Sequence, residues 1–189
     1  MNKNLNIILA SNSPRRQQIL KEAGIIFLVR SKNIPEDYPS DLPKRSISEY
    51  LAEKKAESFC DESQNSLIIA ADTTVLVDGN ILEKPVNQFD ATRMLRELSG
   101  KYHEVITGVC LLHKNKKISF SDTTKVYFKE LSEAEIRHYV ETYKPFDKAG
   151  SYGIQEWIGL IGITGIEGSY FNVMGLPIHK VYESLKEFK

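Results

Sequence analysis

The 189-residue sequence contains few cysteines, no excess charge and no long apolar run. Its two cysteines, Cys60 and Cys110, cannot form a disulfide framework, and neither has Cys or His neighbours at zinc-finger spacing. We expect both to be reduced and buried. No stretch of about 18 apolar residues is present, which argues against a membrane-spanning helix, and the first residues lack the pattern of a secretory signal. A cytoplasmic location is the resulting expectation.

The sequence also has no excess of either charge, because it contains 25 basic and 25 acidic residues. A neutral chain has no broad positive field of the kind on which nonspecific binding to nucleic acid or anionic membranes depends. We therefore expect neither nucleic acid nor a membrane as a partner. An anion must be held by a local group of basic side chains.

The order of helix and strand signals predicts an α/β fold with a mixed sheet in one domain. Helices are expected at 15–23, 46–60, 87–98, from 132 to just before Pro145, and 177–188. Strands are expected at 7–10, 25–29, 103–112 and 118–128, and also in the apolar stretch 66–77, which 72–74 interrupt. A hairpin turn is expected at Asp78-Gly79. Residues 150–175 contain seven of the eleven glycines, so tight turns are expected there.

The first strand–helix junction has the sequence Ser-Asn-Ser-Pro-Arg-Arg. Ser13 and Pro14 suit the start of a helix, but Arg15 and Arg16 add positive charge where the helix end is already partly positive. A bound phosphate would reverse this penalty, with Ser11, Ser13 and backbone N–H groups as donors. The alternative is an ordinary helix start with two solvated arginines.

Lys55 interrupts a row of apolar residues. Ile47, Leu51, Lys55 and Phe59 recur every four residues, so they lie along one face of the second expected helix. The lysine either extends past the core to solvent or points into a cleft toward an anionic ligand. The spacing alone leaves both interpretations open.

Asp72 follows the apolar run 67–71, which we expect to be a buried strand. A carboxylate at the carboxyl end of such a strand suits a hard cation or the activation of a water, and Glu36 is a candidate second oxygen ligand. The alternative is a polar residue that ends a strand. Lys84 and Lys148 lie beside turn residues, where a lysine is either solvated or part of the same polyphosphate site.

Common catalytic motifs are absent. The sequence contains no Walker loop, no Gly-x-Gly-x-x-Gly, no Gly-x-Ser-x-Gly and no His-Glu-x-x-His. Its four histidines are isolated, which argues against a zinc site and against a Ser-His-Asp triad. Hydrolysis through a side-chain nucleophile is therefore not expected.

Seven ordered segments resemble the Maf family of nucleoside triphosphate pyrophosphatases over nearly the whole chain. The segments are SNSPRR from Ser11, LAEKKA from Leu51, ADT from Ala71, KP from Lys84, LSGKYH from Leu98, DKAGSYGIQ from Asp147 and NVMGLP from Asn172. The resemblance implies one domain over residues 1–189, with two lobes around a cleft and a fold similar to the inosine triphosphate pyrophosphatases. It also implies cleavage of a nucleoside triphosphate between its α and β phosphates with Mg²⁺ or Mn²⁺, and a homodimer.

The resemblance assigns roles to particular residues. Asp72 matches the proton acceptor, and Arg15, Thr73 and Gln155 match positions that tune substrate choice. Our hypothesis adds that Glu36 and Asp72 hold the cation and that Lys55 and Lys84 assist catalysis. Thr73 and Gln155 would recognise the base. The other residues expected to bind substrate are Ser11, Ser13, Arg15, Arg16 and Lys148.

Arg15, Thr73 and Gln155 together resemble the branch that acts on dTTP and UTP. One departure concerns the base pocket, since Gln155 is followed here by Glu156 and Trp157, where family members commonly have glycine. Two alternatives remain: a 7-methyl-GTP pyrophosphatase, and a nucleotide-binding regulator of cell division and septum formation that does not turn nucleotide over.

Overall fold

The computed structural model describes residues 5–188, in which strands and helices alternate as the sequence predicts. The strands are β1 (Asn6–Leu9), β2 (Leu28–Val29), β3 (Ser66–Val77), β4 (Asn80–Leu82), β5 (Tyr102–His113), β6 (Lys116–Phe128) and β7 (Ile163–Glu167). The helices are α1 (Pro14–Glu22), α2 (Ile47–Glu57), α3 (Cys60–Ser63), α4 (Gln88–Leu98), α5 (Glu133–Tyr143), α6 (Trp157–Gly162), α7 (Tyr170–Val173) and α8 (Ile178–Leu185). Short 3-10 turns lie at Lys44–Ser46 and Ala149–Ser151.

One sheet of seven strands runs through the described residues, in the order β2-β1-β3-β5-β6-β7 with β4 paired to β3. Strand β1 is parallel to both β2 and β3, whereas β4 and β7 pair antiparallel with β3 and β6. This sheet confirms the predicted mixed α/β fold. No helix in 5–188 is long and apolar enough to cross a membrane.

The chain divides into two compact units. The first unit comprises the residues up to Asp72, Thr107–Asp122 and the chain from Gly175 onward. The second unit comprises Thr73–Ile106 and Thr123–Met174. Strands β3, β5 and β6 contribute residues to both units. The expected single domain with two lobes around a cleft stays a prediction.

In the first unit, helix α2 packs on the sheet through small side chains. Ala52 and Ala56 are completely buried and belong to one apolar cluster with residues of β1, β3 and β5. The helix start approaches β5 even more closely, because a Cβ added at Gly108 would lie 2.2 Å from the backbone nitrogen of Glu49. This glycine therefore sets how near α2 comes to the sheet.

In the second unit, a buried ring cluster surrounds His103. The imidazole Nε2 lies 2.7 Å from the hydroxyl oxygen of Tyr152, and the ring stacks on Phe128 with centroids 5.7 Å apart. Only 1% of His103 is exposed, and its Nδ1 has no hydrogen-bond partner. Burial lowers the pKa of His103 from 6.5 to about 3, so the imidazole stays neutral in the folded protein.

Several local predictions are confirmed. The Asn87 side chain accepts a hydrogen bond from the Asp90 backbone, and Ser132 and Glu135 form the expected capping box. The Asp78-Gly79 turn joins β3 to β4, and both residues have positive φ, as a two-residue hairpin requires.

Other local predictions are wrong for identifiable reasons. Ser46 does not cap α2, since it continues the preceding 3-10 turn with a helical backbone at φ −95° and ψ −8°. The strand predicted at 25–29 shortens to β2, because only Leu28 and Val29 find partners on β1. Cys60 is exposed, whereas Cys110 is buried as expected.

The glycine-rich segment holds more regular structure than its turns suggested. Helix α6, strand β7 and helix α7 all lie within 150–175, and none of them was predicted. The final helix α8 also ends earlier than expected, at Leu185.

Gly108→Ala should lower the free energy of unfolding by about 3 kcal/mol, because the added methyl group meets backbone atoms that cannot move alone. Urea denaturation measures this loss. Gly165→Ala is the matched control: it also lies in a strand, but its Cβ would make only ordinary contacts at 3.6 Å, and we expect a change of under about 1 kcal/mol. Equal losses in the two variants would contradict the close approach of α2.

His103 should make the stability depend on pH. The pKa of His103 is lower in the folded protein than in the unfolded chain. As the pH falls, the unfolded chain therefore binds a proton at a higher pH than the folded protein does. The imidazole thus destabilises the fold as the pH falls from 6.5 toward about 3. Relative to His103→Gln, the wild type should lose about 1.4 kcal/mol per pH unit in the middle of this range, where the unfolded chain is protonated and the folded one is not. Urea denaturation of both proteins at several pH values measures the difference, and identical pH slopes would refute the assignment.

Candidate functional site

The β1–α1 junction folds around the hydroxyl group of Ser11. The Ser11 Oγ accepts from the backbone N–H of Ser13 at 3.2 Å and from Arg16 Nη1 at 3.3 Å. The Nε of Arg16 donates to the carbonyl oxygen of Gly175 at 2.7 Å. The Ser13 side chain occupies the N-cap position but makes no capping hydrogen bond. The expected helix start is confirmed, and Arg16 is held across it.

The charge of Arg16 is balanced by carboxylates of the same unit. Burial is the main cause that lowers the pKa of Arg16, and the neighbouring Arg15 adds to this effect. The charges of Asp72 and Glu36 oppose it. The two arginines and two carboxylates therefore belong to one electrostatic cluster.

Lys55 joins the two carboxylates directly. Its Nζ lies 2.7 Å from Glu36 Oε1 and 2.5 Å from Asp72 Oδ1. Only 16% of the Lys55 side chain and 12% of the Asp72 side chain are exposed, whereas Glu36 is nearly half exposed. Of the two interpretations that the sequence left open, the structure supports an inward-pointing lysine that pairs with acids.

The apolar row on this face of α2 is confirmed. Ile47, Leu51 and Phe59 are all buried, at 2%, 5% and 2% exposure. Because Lys55 follows Leu51 by one helical repeat, its stem runs along the same face. The row thus directs the ammonium group toward β3.

The placement of Asp72 differs from the expectation. We expected it at the carboxyl end of a strand, but β3 continues through Asp72 to Val77, and β4 pairs with its last three residues. The parallel pairing with β1 ends at Ile69. Asp72 therefore lies beyond the end of the parallel region, and its carboxylate faces the β1–α1 junction of the same unit.

The remaining predicted site residues lie in the second unit. Thr73 follows Asp72 on β3 and is half-buried, Lys84 is exposed after β4, and Gln155 is exposed before α6. Lys148 is only 8% exposed, and its Nζ lies 2.7 Å from Asp147 Oδ1 and 3.1 Å from Glu156 Oε1. The prediction that these four residues meet the same ligand as the first cluster stays a prediction.

Sequence reasoning missed two partners of predicted site residues. The Gly175 carbonyl that holds Arg16 carries no side-chain signal, and it lies 159 residues away in the chain. Glu156, which binds Lys148, was noticed only as a departure after Gln155. Its partner Tyr139, which donates to the Glu156 carboxylate, was not noticed at all.

The oxygen donors of the first cluster suit a hard cation. Glu36 and Asp72 both contact the Nζ of Lys55, so their nearest oxygens are at most about 5 Å apart. In 5–188 no group of three or more His, Cys, Asp and Glu residues could hold a metal on its own. Two carboxylates suit Mg²⁺ or Mn²⁺, because Mg²⁺ commonly keeps several waters and binds substrate phosphates.

The architecture defines a class of α/β proteins that includes the Ham1 proteins. The Ham1 protein of Staphylococcus aureus matches with a TM-score of 0.57 and 14% identity, over 97% of this chain and all of its own. The Ham1 protein of Coxiella burnetii matches with a TM-score of 0.55 and 12% identity, over 97% and 99%. Likeness at this level of identity establishes the fold.

Within this class the chain belongs to the Maf-like protein family, which matches residues 6–188. A relative from Phocaeicola vulgatus is 53% identical, over 96% of this chain and 95% of the relative. A relative from Flavobacterium psychrophilum is 52% identical, over 95% of this chain and 93% of the relative. A relative from Cytophaga hutchinsonii is 50% identical over 97% and 84%. All three are named dTTP/UTP pyrophosphatase.

Lys55→Met should lower the free energy of unfolding by about 2 kcal/mol, because it keeps the apolar stem but leaves the buried Asp72 carboxylate without this cation. Chemical denaturation at neutral pH measures the loss. The matched control is Lys101→Met, which breaks an exposed pair with Asp78 and should cost under about 0.5 kcal/mol. Equal effects would mean that the Lys55 pair is no more than a surface contact.

Proposed function

We propose that this chain hydrolyses dTTP and UTP to the nucleoside monophosphate and pyrophosphate. The observation that carries the proposal is the contact of Lys55 with both Glu36 and Asp72, in the same electrostatic cluster as Arg15 and Arg16. The names of relatives about half identical over nearly the whole chain support the choice of substrate.

The phosphates would bind at the β1–α1 junction. The partial positive charge at the start of α1 favours an anion there. The Ser13 hydroxyl makes no capping bond and can donate to a phosphate oxygen. Arg16 is already fixed by Ser11 and Gly175, so it binds with little further loss of side-chain freedom.

Asp72 would act as the general base. Lys55 contacts one carboxylate oxygen, and a carboxylate can accept a proton from the attacking water through its other oxygen. The attack breaks the bond to the leaving pyrophosphate, whose new charge the lysines would stabilise. No covalent intermediate is required.

Glu36 and Asp72 would hold Mg²⁺ or Mn²⁺ together with phosphate oxygens and water. When bound, the cation neutralises phosphate charge and fixes the phosphates relative to the water. We further propose that the phosphates are contacted by Lys84 and Lys148. The base would be contacted by Thr73 and Gln155. We also propose that the protein acts in the cytoplasm as a homodimer.

Asp72→Asn should lower kcat for dTTP by about 100-fold or more, because the amide cannot accept the proton. Pyrophosphate release with added Mg²⁺ or Mn²⁺ measures turnover, and identification of dTMP verifies the bond that is cleaved. Circular dichroism checks that the variant is folded.

Asp78→Asn is the control, since Asp78 is an exposed turn carboxylate whose backbone conformation asparagine also adopts. It should keep wild-type activity. Full activity in Asp72→Asn would remove Asp72 from the mechanism. A wild type that binds dTTP without releasing pyrophosphate would instead support the regulator of cell division.

A further inference from the structure

A closed β-turn carries Gln155 in the second unit. The backbone N–H of Glu156 donates to the Gly153 carbonyl oxygen at 3.0 Å, which leaves Ile154 and Gln155 as the two central residues. Ile154 is buried at 6% exposure, whereas Gln155 is exposed. The direction in which Gln155 points therefore depends on how the two ends of this turn are held.

Both ends of the turn bind the same buried hydroxyl group. The oxygen of Tyr139, on α5, accepts from the backbone N–H of Gly153 at 3.0 Å, and its hydroxyl donates to Glu156 Oε2. Tyr139 is fully buried. Burial and the Glu156 carboxylate raise the pKa of Tyr139, so it remains a donor at neutral pH. Gly153, Tyr139 and Glu156 thus form a closed ring of hydrogen bonds.

The missing side chain at Gly153 makes room for this arrangement. A Cβ added at Gly153 would lie 2.8 Å from Glu156 Cδ, so the absence of a side chain at 153 allows Glu156 to fold back over the turn. The next residues make a second link between the same elements, because the rings of His138 and Trp157 meet edge-on at 4.8 Å. The turn is therefore fastened to α5 at two consecutive positions.

The same carboxylate holds a buried lysine. Glu156 Oε1 lies 3.1 Å from Lys148 Nζ, and only 9% of the Lys148 side chain is exposed. The other acid on this lysine, Asp147, is more than half exposed, whereas the Glu156 side chain is 20% exposed. A charge this deeply buried requires a carboxylate partner, and Glu156 is the more sheltered of the two.

We propose that Glu156 is a positioning residue that fixes Gln155 and Lys148 at once, and so sets which pyrimidine nucleotide is used. The proposal rests on the proposed function, in which Gln155 meets the base and Lys148 meets the phosphates. Glu156 itself is directed toward Tyr139 and Lys148, so it acts on the substrate through its neighbours.

The test compares kcat/KM for UTP and CTP in wild type, Glu156→Gln and Tyr139→Phe. The ratio of the two values is independent of how much of a preparation is folded, so a merely structural effect would leave it unchanged. We expect the preference for UTP to fall by about tenfold in both variants, because misplacement of a contacting group by a fraction of an ångström lowers discrimination.

A double variant separates this mechanism from a direct contact. Gln155→Ala should also reduce the preference for UTP over CTP. The double variant Gln155→Ala/Glu156→Gln should show the same preference as Gln155→Ala, because both changes act through the side chain of residue 155. Glu133→Gln is the matched control, since it removes a carboxylate of α5 from an exposed pair with Arg96. The ratio of kcat/KM for UTP to that for CTP in Glu133→Gln should equal the wild-type ratio.

The outcomes distinguish the two proposals. A wild type that hydrolyses neither dTTP nor UTP contradicts the proposed function and this inference with it. An active wild type whose UTP preference is unchanged in Glu156→Gln contradicts the positioning by Glu156 alone. Additive losses in the double variant likewise refute it.

Discussion

The ammonium group of Lys55 compensates two carboxylates that come from different parts of the chain. Glu36 lies in a loop and Asp72 lies on β3, and one Nζ within 2.7 Å of both fixes their separation. Without this cation, like charges would repel each other beside a largely buried strand. The position of α2 therefore matters for the site as much as for the core. Gly108 permits that position, since any side chain there would push the start of α2 away from β5.

Sequence patterns predicted those features that depend on one segment at a time. The four-residue spacing from Ile47 to Phe59 placed Lys55 on the inward face, and the structure confirms that face. The Ser132–Glu135 box and the Asp78-Gly79 turn were likewise predictable, because each is completed within four residues. The mixed sheet also followed from the order of these signals.

Features that depend on distant segments were not predictable from local patterns. Strand β3 continues past Asp72 and pairs with β4 at its end, which no property of Asp72 indicates. Arg16 is held by a backbone carbonyl of Gly175, and every residue has such a group. The glycines of 150–175 suggested turns, although the segment also contains β7, which pairs with β6. In each case tertiary pairing outweighs local propensity.

Lys148 is buried and Lys55 is half-buried, and both are held by the same kind of pairing. Each ammonium group contacts two carboxylates, one sheltered and one exposed: Asp72 and Glu36 for Lys55, Glu156 and Asp147 for Lys148. The sheltered acid offsets the cost of burying the lysine, whereas solvent screens the contact with the exposed acid, which is therefore more easily displaced.

An incoming phosphate would therefore compete mainly with the exposed acid. This exchange would cost little, because the lysine keeps its sheltered partner. The displaced carboxylate would regain water in the case of Asp147 and would bind the proposed cation in the case of Glu36. Such pairing also explains how a chain with equal numbers of basic and acidic residues can present cations to a polyanion. The charges of the chain sum to zero, but Lys55 and Lys148 are placed so that the more weakly held carboxylate of each pair, Glu36 or Asp147, is exposed to solvent.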